Sequence, residues 1–89
     1  MQKKEIHYNK KFEELFIALP KNIQKKACKT EKKFRDNPFH PSLRLHKLKG
    51  KLEGLWSISI DMKYRIIFKN MKDGNILFIS VGMHSIYEK

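Results

Sequence analysis

GLWSISIDMKYRIIFKNMKDGNILFISV, residues 54–81, is the stretch whose reading decides the fold. Its first seven residues alternate, so Trp56, Ile58 and Ile60 share one face of a strand. Residues 64–70 alternate again, with Tyr64, Ile66 and Phe68 set against Arg65, Ile67 and Lys69. Asp73-Gly74-Asn75 then carries the residue types of a tight hairpin turn. Ile76 to Val81 is almost wholly apolar, which suits a central strand covered on both faces. Strands in this order, joined by short turns, predict a largely antiparallel sheet.

Upstream the hydrophobic period changes. Residues 44–49 form a basic strand that ends at Gly50, and Asn37-Pro38 with His40-Pro41 marks an irregular crossing loop before it. Phe12, Leu15, Phe16 and Leu19 recur at helical spacing after Asn9, a residue suited to cap a helix. Pro20 stops that helix and is placed to open a second, which runs to about Asp36 with Ile23, Ala27, Thr30 or Glu31, and Phe34 on its inner stripe. The outer stripe is Lys21, Lys25, Lys26, Lys29, Lys32 and Lys33, a run that a solvated helix face explains. Residues 3–8 read as a short edge strand with Ile6 and Tyr8 on one side.

The sum is an α+β fold. An N-terminal strand and a two-helix hairpin pack on one face of a four-stranded, mostly antiparallel sheet. The 89 residues leave room for a single domain spanning 1–89, in which nearly every large apolar side chain is needed for the core.

Twenty Lys+Arg against nine Asp+Glu give a net charge of +11, a balance that asks for a polyanion or an acidic protein partner. A single cysteine, Cys28, excludes an internal disulfide and a Cys-based zinc site, and its place in a helix suggests a small packing residue. The start MQKKEIHYNKK has no apolar h-region, and no run approaches the about 18 apolar residues of a membrane span. A cytoplasmic location without membrane contact is the expectation. Four scattered histidines without cysteine partners show no metal-ligand spacing, and the chain has no P-loop, G-x-S-x-G or H-E-x-x-H motif.

Ionisable groups sit beside the strand-like runs in a distinctive order. They are His46-Lys47-Leu48-Lys49-Gly50, Tyr64-Arg65-Ile66-Ile67-Phe68 and Val81-Gly82-Met83-His84-Ser85-Ile86-Tyr87. This arrangement, over HPSLRLHKLKGKLEGLWSISI, YRIIF and VGMHSIY, resembles the RelE/ParE superfamily of bacterial type II toxins, and most closely the RelE/YafQ-like mRNA interferases. The resemblance covers nearly the whole chain. It implies a small toxin that cleaves mRNA, often on the ribosome, without a metal or other cofactor, and that a cognate antitoxin neutralises by wrapping it.

Within the resemblance, His84 matches a histidine after the last strand, His46 the histidine of an H-x-L-x-G segment, and Arg65 a strand arginine. Tyr87 resembles a C-terminal aromatic, although it stands three residues after His84 where relatives often have four. Ser59 and Lys63 occupy places where some YafQ-like members carry a histidine and an aspartate, so the subgroup's full catalytic set is absent.

Metal-free RNA cleavage needs a base for the 2′-hydroxyl, a cation for the phosphorane and an acid for the leaving 5′-oxygen. Imidazole, with an ordinary pKa of about 6.5, suits the first or third, and the guanidinium fork suits the second. Arg65 is therefore expected to hold the phosphorane, with His84 and His46 dividing proton transfer and Tyr87 stacking on a base or positioning the 2′-hydroxyl. Lys47, Lys49, Lys51 and Lys63 are the expected phosphate-binding cations, although the first three also serve as guards of a strand edge.

His46 carries a condition. It alternates with Leu48, so a regular strand would turn both to the helices, and a site role requires irregular backbone there. Arg65 lies off the Tyr64/Ile66/Phe68 face, and Trp56 is in register with the core. Two other functions fit the same fold: a ParE-like poison of DNA gyrase without nuclease activity, and a degenerate homologue that only binds nucleic acid.

Overall fold

The computed structural model describes residues 5–83, and the expected site residues His84 and Tyr87 lie outside the described residues. The elements in chain order are β1 (Ile6–Tyr8), α1 (Lys10–Ala18), α2 (Lys21–Asp36), β2 (His46–Lys47), β3 (Trp56–Ser59), β4 (Tyr64–Asn70) and β5 (Ile76–Met83). Short 3-10 turns at Pro41–Leu43 and Gly50–Leu52 flank β2.

Local chemistry sets the helix ends. The Asn9 side chain accepts the Phe12 N–H at 2.8 Å, satisfying one of the unpaired donors of the first turn of α1. Pro20 stands at the N-cap of α2, as its fixed φ allows. The expected inner stripe is buried: Ile23, Ala27, Thr30 and Phe34. Thr30 is tolerated inside because its hydroxyl donates to the Lys26 carbonyl at 2.8 Å. Cys28 departs from expectation and is exposed.

The sheet has five strands instead of four, in the order β1-β5-β4-β3-β2. The N-terminal strand lies within the sheet, parallel to β5, with Ile6 opposite Ile76 and Tyr8 opposite Phe78. Its backbone groups need partners, and the outer edge of β5 supplies them. That pairing places β5 between two strands, in keeping with its apolar run. All other pairings are antiparallel.

A bulge refines the reading of β5. Ile67 pairs with Ser80 but Phe68 pairs with Phe78, so Ile79 is an extra residue. It shifts the phase of the strand, and Ile76, Phe78 and Val81 all face the helices despite their unequal spacing. A residue run that looks two-sided is partly a one-sided strand with a phase change. Around Phe78 the rings of Tyr8, Phe12, Phe34 and Phe68 close the core between sheet and helices.

Polar contacts fix the outer parts. The Tyr8 hydroxyl donates to the Glu31 carboxylate, which also accepts from Arg35 at 2.9 Å, tying β1 to α2. Burial and the neighbouring carboxylate push the Tyr8 phenol up to about 12. In the turn between β3 and β4, Asp61 accepts the backbone N–H groups of Lys63 and Tyr64 at 2.8 and 2.9 Å, with Lys26 of α2 at 3.5 Å.

Burial raises the Asp61 pKa, but these donors outweigh it and hold the carboxyl below its ordinary 3.8. A depressed carboxyl stabilises the fold above its unfolded pKa and ceases to do so as pH falls through the folded value. Asp61→Asn is therefore expected to be less stable than the parent at pH 7. The difference should shrink as pH falls below 3.8, measured by urea midpoints across pH. A constant difference down to strongly acid pH would refute the assignment.

Candidate functional site

Register decides which side chains meet, because directly paired residues share a face of the sheet. One row runs Lys47, Trp56, Phe68, Phe78 and Tyr8, on the side of the helices. The next row runs His46, Ser57, Ile67 and Ser80, on the opposite side. Ser59, Arg65 and Gly82 form the row beside it on that same side. His46 and Arg65 are thereby neighbours, although 19 positions separate them in sequence.

His46 reaches this side through irregular backbone, the condition set for it to take part in a site. Arg44 adopts φ 48, ψ 47, the only positive φ outside glycine among the described residues. A left-handed conformation costs an arginine about 1–2 kcal/mol, so neighbouring contacts must hold it. Leu43 and Leu45 on either side supply them, both packing into the core. The alternation thus runs with Leu45 and not with Leu48, and His46 emerges opposite the helices.

The geometry also selects a tautomer. His46 Nδ1 lies 3.2 Å from the Arg44 carbonyl and 3.5 Å from Arg65 NH1. One nitrogen cannot donate to the first and accept from the second. The shorter contact, to an oxygen that can only accept, puts the proton on Nδ1. In the neutral form of the ring Nε2 then carries the lone pair, and the ring is exposed.

Arg65 is half-buried and donates from NH1 to Ser57 Oγ at 3.3 Å. Ser57 itself is 0 % exposed. The described residues of these two rows, with His7, Leu77 and Lys69 further along the same side, include no carboxylate. An anion placed there meets a guanidinium and an imidazole, with no carboxylate among the described residues of these rows.

The remaining expected residues divide. Lys47 faces the other way, its ammonium 5.4 Å from the centroid of the Trp56 ring in a cation–π contact. Trp56 in turn stacks on Phe68, half-buried and packed against the core. Lys49 and Lys51 are exposed at the 3-10 turn after β2, and Lys63 is exposed in the turn before β4. His84 and Tyr87 lie outside the described residues. His7 pairs with Glu5, and His40 caps the Pro41–Leu43 turn through Nδ1.

Sequence reasoning passed over Ser57. Its only signal was a polar residue on the off-core phase of an alternating strand, which ordinarily means solvent. It also passed over a cleft of about 430 Å³ between the helices, lined by Tyr8, Phe12, Phe16, Ile17, Cys28 and Phe78 among others. Among the described residues no three His, Cys, Asp or Glu side chains converge to hold a metal ion, and no helix is long and apolar enough to cross a membrane.

A family model described as ParE-like toxin domain matches residues 21–89. The fold resembles YafQ from Escherichia coli with a TM-score of 0.76 at 17% identity, covering 93% of this chain and 96% of that one. It resembles a chain of the E. coli DinJ–YafQ toxin–antitoxin complex with a TM-score of 0.76 at 16% identity, over 99% and 100% of the two chains. The YoeB dimer from Staphylococcus aureus gives 0.71 at 22% identity, over 93% and 99%. No curated protein sequence matches significantly.

Proposed function

The chain belongs to the ParE-like toxin domain family, within the RelE/ParE superfamily, and from that premise we propose that it is the toxin of a type II toxin–antitoxin pair. Its activity in this reading is metal-free endonucleolytic cleavage of mRNA on the ribosome, which stops translation. One observation carries the choice: a guanidinium and an imidazole stand 3.5 Å apart on the sheet face opposite the helices. A surface that only bound a protein would have no need of that pair.

The geometry supports the roles of Arg65 and His46, and the resemblance supplies those of His84 and Tyr87. Arg65 stabilises the charged phosphorane, since its fork matches two phosphate oxygens and it stays protonated. His46, with its proton on Nδ1, presents Nε2 to take or return a proton. His84 is the second proton-transfer group and Tyr87 the base-stacking or 2′-hydroxyl-positioning group. Lys49, Lys51 and Lys63 hold flanking phosphates, and Lys47 contributes to the field from beside Trp56.

The partner is an antitoxin, the kind of protein bound to YafQ in the DinJ–YafQ complex. An acidic segment suits the site face of a chain with net charge +11.

The test maps transcript 5′ ends after adding purified protein to translating ribosomes. New ends are expected with the parent chain, and His46→Ala should reduce their rate of appearance by about 10²-fold or more. The family description favours one competing reading, a gyrase poison without nuclease activity. Gyrase-linked DNA breaks without new transcript ends would establish it in place of cleavage.

A further inference from the structure

Ser57 is polar, wholly buried and central in β3, on the face opposite the helices. Its neighbours across the sheet in that row are His46 on β2 and Ile67 on β4. Arg65 does not pair with it. Arg65 pairs with Ser59, yet its NH1 reaches diagonally to Ser57 Oγ at 3.3 Å. A long side chain can span that diagonal. The reach brings the guanidinium into the row of His46, with NH1 3.5 Å from the ring.

The physical consequence is orientation. An arginine side chain has several freely turning bonds, and a fork that grips phosphate must be held in one plane to act. A buried serine hydroxyl has little freedom of its own, and it accepts one of the five N–H donors a guanidinium carries. We propose that Ser57 is a positioning residue whose buried hydroxyl holds the Arg65 guanidinium beside His46, so that both address a single phosphodiester. This rests on the nuclease reading given above for what the pair does, but the positioning itself is a property of the free protein.

Two measurements keep those claims apart. The first is the heteronuclear NOE of the Arg65 Nε–H, assigned by its loss in Arg65→Lys, together with titration by inorganic phosphate. In the parent chain Arg65 should be markedly more rigid than the exposed Arg44. In Ser57→Ala its NOE should fall measurably toward that of Arg44, with phosphate affinity at Arg65 reduced about tenfold. Ser57→Thr, which keeps the hydroxyl, should restore both.

The second is cleavage of mRNA. Ser57→Ala should lower kcat about tenfold with little change in KM, and threonine should rescue it. A parent Arg65 no more rigid than the exposed Arg44 would overturn the proposal without any variant. So would an unchanged NOE and phosphate affinity in a folded Ser57→Ala. Loss of rigidity on substitution in a chain that never cuts RNA would uphold the positioning role while removing the nuclease reading.

Discussion

Arg65→Ala is expected to slow mRNA cleavage by about 10²–10³-fold while leaving the protein folded. The magnitude comes from the charge that develops on the non-bridging oxygens as the 2′-oxygen attacks. Arg65 is the cation already directed to the place where that attack is expected, held by Ser57 at 3.3 Å and beside His46 at 3.5 Å. Among the described residues it is the cation in the Ser59/Arg65/Gly82 row, and Lys69, in the row on the far side of His46's, is exposed near the end of β4. Lys63 and Lys51 act from exposed turns, where water weakens each charge.

Arg65→Lys tests the geometry separately. It keeps the charge but loses the planar fork, so it should recover only a small part of the rate. Single-turnover cleavage on ribosomes, alongside thermal unfolding to show an intact fold, measures both variants. A rate within a factor of about three of the parent for Arg65→Ala would remove the residue from the mechanism.

Phe78→Ala is the second large effect, on stability. Phe78 is 0 % exposed, and its ring centroid lies 5.4 Å from Phe12, 5.8 Å from Tyr8, 6.1 Å from Phe34 and 6.3 Å from Phe68. It therefore joins β5 to β1, β4 and both helices at one point. Deleting a buried phenylalanine ring costs about 3–5 kcal/mol, through lost transfer energy and the cavity left behind. Proteins of this size have about 5–15 kcal/mol in total, so the variant should be largely unfolded in mild urea. Phe39, 77 % exposed on the loop after α2, is the internal comparison. Phe39→Ala should shift stability by no more than about 0.5 kcal/mol. Equal urea midpoints for the two variants would contradict the location of the core.

The elements themselves were legible because their causes are local. Alternation in residues 64–70 corresponds to β4 at Tyr64–Asn70, and the stripe Ile23, Ala27, Thr30 and Phe34 is the buried face of α2. Asn9 and Pro20 mark helix starts because capping and a fixed φ act within one turn. The basic run at 44–49 was harder, since only His46–Lys47 is strand and 3-10 turns occupy its flanks. Leu43 and Leu45 pull into the core on either side of a left-handed Arg44, and no periodicity records such a twist.

What the sequence by itself determined is the list of parts: two amphipathic helices, alternating strands, a hairpin at Asp73–Asn75, an excess of cations, and motifs that resemble one toxin superfamily. These depend on backbone sterics and on hydrophobic period, which neighbouring residues impose on one another. Only the tertiary structure decided that β1 enters the sheet beside β5, that Ile79 shifts the phase of β5, and that His46, Ser57 and Arg65 meet while Lys47 turns to Trp56. Each of these is a matter of register between distant segments. Moving a strand by one residue exchanges its two faces without altering its composition, so register is settled by the packing of the whole core.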